Sequence, residues 1–277
     1  HQQQCVQYAM QISQKIDSDN TTKPSPHGFI PVRDGLFAAQ HLPQGQAIGV
    51  CMLVHPLGEE RKFAYHWLRE LAEMLANRGW LVLRLDLIGL GESNGELSQQ
   101  TWKEWQKDLA ETVTFTQSTF SDVPIIIGGL RLGAVACLAQ TIQANGFLLL
   151  DPFLNGNRYF ENILRLVSMK QLLVDGKASV QHHELIDLGG ITFSRKMVES
   201  IRSLQLHELI ASCNQRIGIV VTGSSGQLKD GWLNIRTQFP EIKIEAIRCR
   251  PFWGHLVEDI DPLWLEKAKE TANALIA

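Results

Sequence analysis

The stretch that most constrains the fold of this chain is the octapeptide IGGLRLGA near its middle. The apolar run 123–127 leads into it, and the alanine-rich run 134–144 follows it. This order predicts a buried strand, a tight turn and a helix. Gly129 and Gly133 flank Arg131 in the turn, where the backbones of strand and helix approach too closely for a Cβ. Arg131 is therefore predicted to stand at the apex of a sharp strand-to-helix turn.

Apolar runs alternate with helical patterns along most of the chain. This alternation predicts right-handed crossovers and a mostly parallel central sheet with helices on both faces. Asp34-Gly35, between two short apolar runs at 29–32 and 36–41, predicts a hairpin ahead of the alternating part. The other predicted strands are 47–54, 80–85, 123–127, 146–150, 217–221 and 242–247, and the predicted helices are 63–78, 102–120, 134–144, 231–239 and 264–276.

The alternation breaks after residue 152. Residues 155–210 show mostly helical patterning, with turns at Asp175-Gly176 and Gly189-Gly190. This region is typical of an insertion over one end of the sheet. The predicted division is an arm of residues 1–27 with a short helix around 8–16, a core of 28–152 and 212–277, and a helical cap of 153–211.

Composition excludes several classes of function. The 277 residues carry a formal net charge of −3 and no basic block, which argues against nucleic acid or an anionic membrane as the main partner. No apolar run reaches the roughly 20 residues that span a bilayer. The glutamine-rich start lacks a secretory signal pattern, and the five cysteines are scattered, which favours a reduced compartment. We therefore expect a cytoplasmic protein.

No cofactor or metal is expected. The chain has no dinucleotide fingerprint and no phosphate-binding loop with its lysine. His182, His183 and Glu184 are the nearest approach to a metal-ligand group, but adjacent side chains point apart and no second group of ligands is evident. A solvated surface of the predicted cap explains these three residues better.

Polar and glycine-rich peptides follow most of the predicted strands. In an open parallel sheet, ligands bind at the carboxyl ends of the strands. The sequence therefore predicts a ligand site at this edge of the sheet. The peptides concerned are 55–60, 86–93, 129–133, 151–153, 223–226 and 251–255.

These features resemble the α/β-hydrolase fold over residues 28–277. The residues on which this resemblance rests are His55-Pro56, the pattern D-x-x-G-x-G-x-S that begins at Asp86, the glycine turn, and Gly254-His255. More narrowly, residues 55–65 and the motif GLRLGA resemble the second type of exosortase-associated hydrolases. That bacterial group is named for its gene neighbourhood with surface-polysaccharide and protein-sorting systems.

The resemblance implies a nucleophile elbow, G-x-S-x-G, with serine at the position of Arg131. Arg131 cannot replace that serine, because a guanidinium is protonated at working pH and has no lone pair to offer. Other loop ends carry hydroxyl or thiol groups that no elbow presents. They are Ser93, Ser224, Ser225 and Cys249, of which Cys249 is the best-placed substitute and is otherwise a buried strand-end residue.

The resemblance also implies a base and an acid. His255 follows the last strand, where the family keeps its histidine; alternatively it is a relic that hydrogen-bonds a loop. No carboxylate follows residues 217–221 until Asp230, so Asp151, after the preceding strand, is the candidate acid. Asp151 would orient His255 or pair with Arg131. The alternative is that it caps the turn at Pro152.

Backbone amides would supply the oxyanion donors. Leu132 follows the elbow directly, and Leu57 is the candidate in the other turn because Pro56 has no N–H. His55 belongs to the same turn and is grouped with them as an oxyanion or ligand-binding residue.

Two roles for Arg131 remain open from the sequence. At a helix N-terminus it would clamp a carboxylate, phosphate or sulfate. Alternatively, it would form an internal pair with Glu59, Glu60 or Asp151, since a buried arginine without a partner is costly.

Two functions follow. The first is an atypical hydrolase that acts on an acyl, ester or glycan-linked small substrate through His255 and water. The alternative is a non-catalytic pseudo-hydrolase that binds an anionic or acylated ligand, or a partner protein. The oligomeric state is not predicted.

Overall fold

The computed structural model describes residues 27–30, 35–138, 142–175, 185–187, 191–254 and 262–277. Several predictions lie outside this part of the chain: the N-terminal arm with its helix, the turns at Gly176 and Gly189-Gly190, the group 182–184, and His255. The described strands are β1 (His27–Ile30), β2 (Leu36–His41), β3 (Gly49–Val54), β4 (Trp80–Leu85), β5 (Ile125–Leu130), β6 (Gly146–Leu150), β7 (Leu185–Asp187), β8 (Thr192–Ser194), β9 (Arg216–Gly223) and β10 (Lys243–Arg248). The described α-helices are α1 (Gly58–Ala76), α2 (Trp102–Thr119), α3 (Leu132–Ala136), α4 (Gly156–Asp175), α5 (Arg195–Ser203), α6 (Leu206–Ala211), α7 (Asp230–Gln238) and α8 (Pro262–Ala274).

Eight strands form one sheet in the order β1-β2-β4-β3-β5-β6-β9-β10. In this order, each neighbouring pair from β4 through β3, β5, β6 and β9 to β10 is parallel. Strand β2 is antiparallel to both β1 and β4. All residues of β3, β4, β5 and β6 are buried. Continuous apolar strands of this kind are stable only when helices cover both faces. The predicted mostly parallel sheet and the antiparallel pairing of its first two strands are confirmed, whereas Asp34 of the predicted hairpin turn lies outside the described residues.

Two apolar layers enclose the sheet. On one face, Leu68 and Leu71 of α1 and Trp264 of α8 pack in one cluster with Trp80. On the other face, Trp105 and Leu109 of α2 pack against β3 and β5. Helix α2 begins with a capping box, in which the Thr101 hydroxyl accepts from the Glu104 N–H and the Glu104 carboxylate accepts from the Thr101 N–H.

The helix after the elbow is shorter than its alanine-rich sequence predicts. It ends at Ala136, and residues 142–144 are not helical. The Sγ of Cys137 lies 3.1 Å from the Gly133 carbonyl at the end of the helix. Ile142 and Ala144 are nevertheless buried, so the apolar spacing there reflects packing against the core and not helical periodicity.

The described part of the segment between β6 and β9 is mostly helical, and it also holds two short strands that were not predicted. It contains α4, α5 and α6, but also the antiparallel hairpin of β7 and β8. Each of these strands has only three residues, with one buried side chain apiece, Ile186 and Phe193. So short an alternation is too weak to distinguish from helical spacing.

Candidate active site

The elbow between β5 and α3 has a backbone that few residues adopt. Arg131 has φ 57° and ψ −118°, a positive φ in a residue that is not glycine. Such a conformation costs about 1–3 kcal/mol and persists only where the surroundings enforce it. A Cβ on Gly129 would lie 2.6 Å from the Val54 carbonyl oxygen, and one on Gly133 would lie 2.5 Å from the same oxygen. The two glycines therefore allow the elbow to pack against the end of β3.

The side chain of Arg131 is engaged within the protein. Its Nε donates to Glu60 Oε1 at 3.0 Å, and its Nη1 donates to the backbone carbonyl of Asp151 at 3.0 Å. The guanidinium carbon lies 5.3 Å from the ring centre of Tyr159 and 5.2 Å from that of Trp253. Among the carboxylates considered from the sequence, Glu60 is therefore the one that pairs with Arg131.

Arg131 remains charged in this setting. Burial is the largest single influence and disfavours the guanidinium cation, but Glu60, Tyr159 and Asp151 together outweigh it, so the pKa of Arg131 is raised above its ordinary value. The Arg131 side chain is 19% exposed and the Glu60 side chain 15%. The pair is largely withdrawn from water but still reaches the cavity described below.

Glu60 also connects the core to the segment between β6 and β9. Its Oε2 accepts from the hydroxyl of Tyr159, on α4, at 2.8 Å. Burial raises the pKa of Tyr159, and the Glu60 carboxylate raises it further, so the hydroxyl stays protonated and donates. Arg131, Glu60 and Tyr159 thus join the elbow, α1 and α4 through one carboxylate.

The pair lies at the wall of a cavity of about 270 Å³. Arg131, Glu60 and Glu59 are the charged residues among those that line it. Most of the lining is apolar or aromatic, which suits an uncharged hydrocarbon group better than a polar one. The apolar and aromatic side chains are Leu57, Phe63, Tyr159, Ile163, Leu166, Val167, Ile191, Phe193 and Trp253.

Asp151, at the end of β6, contacts Arg131 through its backbone and not its carboxylate. The carboxylate Oδ1 accepts from the Thr222 N–H at 2.6 Å and from the Thr222 hydroxyl at 3.1 Å. Oδ2 is buried and forms no hydrogen bond of normal geometry with the described residues, although the Trp264 side chain lies near enough to favour the ionised carboxylate. Burial raises the pKa of the Asp151 carboxyl to about 6, although the Thr222 N–H and the Arg131 charge oppose the shift.

We expect Asp151→Asn to raise stability at neutral pH. The folded pKa of about 6 lies above the ordinary value of 3.8, so folding favours the protonated carboxyl, and stability falls as pH rises between those two values. Asparagine stays neutral, keeps an acceptor for Thr222 and tolerates the φ of 43°. Above pH 7, the free energy of unfolding of the variant should exceed that of wild type by on the order of 2 kcal/mol. The fall in stability between pH 3.8 and about 6 that Asp151 causes in wild type should be absent.

Urea denaturation at a series of pH values measures this effect. The exposed Asp122, changed to asparagine, is the matched control and should keep the wild-type slope. A pH profile of Asp151→Asn parallel to that of wild type would contradict the effect of burial on Asp151.

The predicted oxyanion residues are placed differently from one another. Leu57 lines the cavity and directly precedes α1, and Leu132 is the first residue of α3. The ring of His55 is buried elsewhere: it stacks on Tyr65 with centroids 5.2 Å apart and lies 3.5 Å from Arg84 Nη1 through Nε2. Burial, with the Arg84 charge, holds the pKa of His55 well below its usual range, so the ring is neutral.

The alternative nucleophiles do not line the cavity. The Ser93 hydroxyl donates to the Asp86 carbonyl and accepts from the Phe37 N–H at 2.8 Å, which fixes the loop after β4. Cys249 Sγ lies 3.3 Å from the Arg250 carbonyl. Neither residue is presented on an elbow, and the roles of His255 and of the oxyanion amides stay predictions.

Sequence reasoning missed the contributions of Tyr159 and Trp253. Both rings pack on the Arg131 guanidinium. Trp253 lies in the peptide 251–255 predicted to border the site, but no role was predicted for it, and Tyr159 lies outside the predicted peptides. Their aromatic character near the predicted carboxyl edge of the sheet is the one signal that the sequence held.

In the described part of the chain, no group of three His, Cys, Asp or Glu side chains could hold a metal. No described helix is long and apolar enough to cross a membrane.

Comparison with known proteins gives similarities of three kinds: a family model, curated relatives and solved structures. A model of the family described as serine aminopeptidase, S33, matches residues 45–210. Monoglyceride lipase of Rattus norvegicus is 28% identical over 144 residues, which are 50% of this chain and 46% of that protein. The chain thus spans about half the length of this curated relative.

Solved structures share the architecture at low identity. Est1E of Butyrivibrio proteoclasticus with bound ferulic acid aligns with a TM-score of 0.62 over 90% of this chain and 98% of its own, at 16% identity. A soluble variant of monoglyceride lipase from Saccharomyces cerevisiae, with a substrate analogue, aligns with a TM-score of 0.64 over 93% and 97%, at 13% identity. The predicted fold class is confirmed.

Proposed function

Because the chain belongs to the family described as serine aminopeptidase, S33, within the α/β-hydrolase superfamily, we propose that it binds the acyl part of a small ester-like or acylated ligand. We propose further that it does so without the serine-nucleophile mechanism. The ligand would lie in the apolar cavity with its polar end at Arg131. The names of the curated relatives, monoglyceride lipases, support an acyl ligand but concern those proteins.

One observation carries this proposal: the elbow residue is a charged arginine held by Glu60 at the wall of an apolar cavity. The elbow exists to present one side chain to a ligand. Here that side chain is a hydrogen-bond donor that cannot attack a carbonyl carbon. Positioning of a carbonyl group is what this geometry supports best.

The anion clamp considered from the sequence has less support. Glu60 already compensates the Arg131 charge, and the second guanidinium bond goes to a backbone carbonyl. Each face of the guanidinium that could bind a carboxylate or phosphate through two parallel donors therefore has one nitrogen that already donates within the protein. A neutral acyl group needs one donor and an apolar surface, and the cavity offers both.

Labelling by a fluorophosphonate probe tests the missing nucleophile. Wild type should stay unlabelled. The double variant R131S/E60Q should be labelled at least about tenfold faster than wild type, because it places a hydroxyl on the elbow and leaves no unpaired carboxylate beside it. The variant R131A/E60Q, which lacks only the hydroxyl, is the matched control. Labelling of wild type would show that another nucleophile exists and would contradict the proposal.

A second candidate function is hydrolysis by water, with His255 as base and Asp151 as the acid that orients it. The observation that favours it is the buried Asp151 carboxyl at the end of β6, whose raised pKa of about 6 reflects a charge that its surroundings compensate incompletely. General-base catalysis of this kind contributes roughly 10²–10⁴-fold. Turnover of p-nitrophenyl octanoate that is lost in His255→Ala, without probe labelling, would establish this function in place of simple binding.

We also propose the narrower grouping with the exosortase-associated hydrolases, on the stretches 55–65 and GLRLGA. Glu60 and Arg131, one from each stretch, form an ion pair, which supports considering the two stretches together. Genes for surface polysaccharide and protein sorting beside this gene would support the grouping. A cytoplasmic location and a core-and-cap division at residues 153–211 remain proposals, which cell fractionation and limited proteolysis would test.

A further inference from the structure

We propose that Glu60 is a specificity-determining residue, which makes the cavity select an uncharged carbonyl group over a carboxylate by neutralising Arg131. This inference rests on the proposed function, since it concerns the ligand of the same cavity. It assigns to Glu60 an effect on ligand charge that its position in the first turn of α1 does not by itself imply.

The first step is the geometry of the pair. Glu60 Oε1 accepts from Arg131 Nε at 3.0 Å, and Oε2 accepts from Tyr159 at 2.8 Å, so both carboxylate oxygens are fixed. Both side chains are more than four-fifths buried. A charge pair with so little solvent is screened weakly, and the carboxylate is felt by any group that approaches the guanidinium.

The second step is the donor that remains. Arg131 Nε and Nη1 are used by Glu60 and by the Asp151 carbonyl, while Nη2 donates to none of the described residues. Arg131 also lines the cavity. An N–H of Nη2 suits the single oxygen of an ester or amide carbonyl. A carboxylate prefers two parallel donors on one face of the guanidinium, and on each such face one nitrogen already donates to Glu60 or to the Asp151 carbonyl.

The third step is the total charge at this wall. Arg131 and Glu60 cancel, and the Asp151 carboxyl lies close enough to act on the Arg131 charge. The charge at the guanidinium is therefore already compensated, so an anionic head group there would lose its hydration without gaining a net attraction.

Isothermal titration calorimetry with octanamide and octanoate at pH 8 tests the inference. The two ligands have the same chain and nearly the same shape, and differ in head-group charge. Wild type should bind octanamide about tenfold more tightly than octanoate, a difference of about 1.4 kcal/mol. Equal binding, or tighter binding of octanoate, would overturn the inference.

Glu60→Gln should reverse this preference, because glutamine keeps a hydrogen-bond acceptor and leaves the Arg131 charge uncompensated. Glu70→Gln makes the same charge change on the same helix, away from the cavity, and should keep the wild-type order. If Glu60 had only a structural role, Glu60→Gln would weaken the binding of octanamide and of octanoate to the same extent. An unchanged ratio in Glu60→Gln would overturn the assignment.

Arg131→Met supplies the opposite change and guards against poor folding of Glu60→Gln. It leaves Glu60 as the uncompensated charge, so octylammonium should bind at least about tenfold more tightly than it does to wild type, and octanoate should not bind measurably. Tighter octanoate binding by this variant would overturn the inference. If wild type binds none of the three ligands, the proposed acyl site itself is contradicted and the inference falls with it.

Discussion

Replacing Gly133 by alanine is expected to lower the free energy of unfolding by at least about 3 kcal/mol. The added Cβ would lie 2.5 Å from the Val54 carbonyl oxygen and 2.6 Å from that of His55. Both contacts are with backbone at the end of a fully buried strand, so relief requires the elbow and β3 to separate. Urea denaturation followed by circular dichroism measures the loss.

Gly223→Ala is the matched control for this prediction. Gly223 ends β9, and a Cβ there would meet nothing within 4 Å. The control should change stability by less than about 1 kcal/mol, since it mainly alters the entropy of the unfolded chain. Equal effects at the two positions would mean that the close packing at the elbow is not what makes glycine necessary.

The substitution Asp86→Ala should cost about 3 kcal/mol. Asp86 is 5% exposed and forms a two-oxygen pair with Arg61, whose Nη2 lies 2.7 and 2.9 Å from the two carboxylate oxygens. It also accepts the Glu92 N–H at 3.1 Å. Removal leaves the Arg61 charge without its partner and frees the loop after β4, both of which destabilise the fold.

A double-mutant cycle with Arg61→Met isolates the pair in this prediction. The double variant should be less destabilised than the sum of the single ones by at least about 1 kcal/mol, because no charge is then left unpaired. Asp122→Ala, at an exposed carboxylate, should change stability by less than about 0.5 kcal/mol. Additive single effects would show that Asp86 acts through the loop alone.

Much of the fold can be predicted from the sequence because buried strands and helix faces leave clear apolar patterns. Strands β4 and β6 are found at the predicted residues, 80–85 and 146–150. Each is an apolar run, interrupted in β4 only by Arg84, with a glycine at or before its start and an aspartate after its end. Helix α1 begins at Gly58, five residues before the predicted start at 63, because its first turn is charged and shows no apolar spacing. Acidic residues there favour the helix through its dipole, which hydrophobic patterns do not reveal.

The site is harder to predict than the fold because side-chain partners are far apart in sequence. Glu60 and Arg131 are separated by 71 positions, and Tyr159 and Glu60 by 99. The sequence narrowed the partner of Arg131 to three carboxylates, and the three-dimensional path of α1 selects Glu60 among them. Tyr159 could not be foreseen, since nothing in its neighbourhood marks which face of α4 turns to the core.

The coupling of Arg131 to Glu60 also constrains how such a chain can change through mutation. Loss of the arginine alone leaves a mostly buried carboxylate unpaired, and loss of the glutamate alone leaves a mostly buried cation. Each single step is therefore less stable than either the pair or its joint replacement. A lineage that exchanges the elbow arginine for serine must pass through a less stable single variant or change both positions together. The two residues are therefore expected to be inherited as a unit.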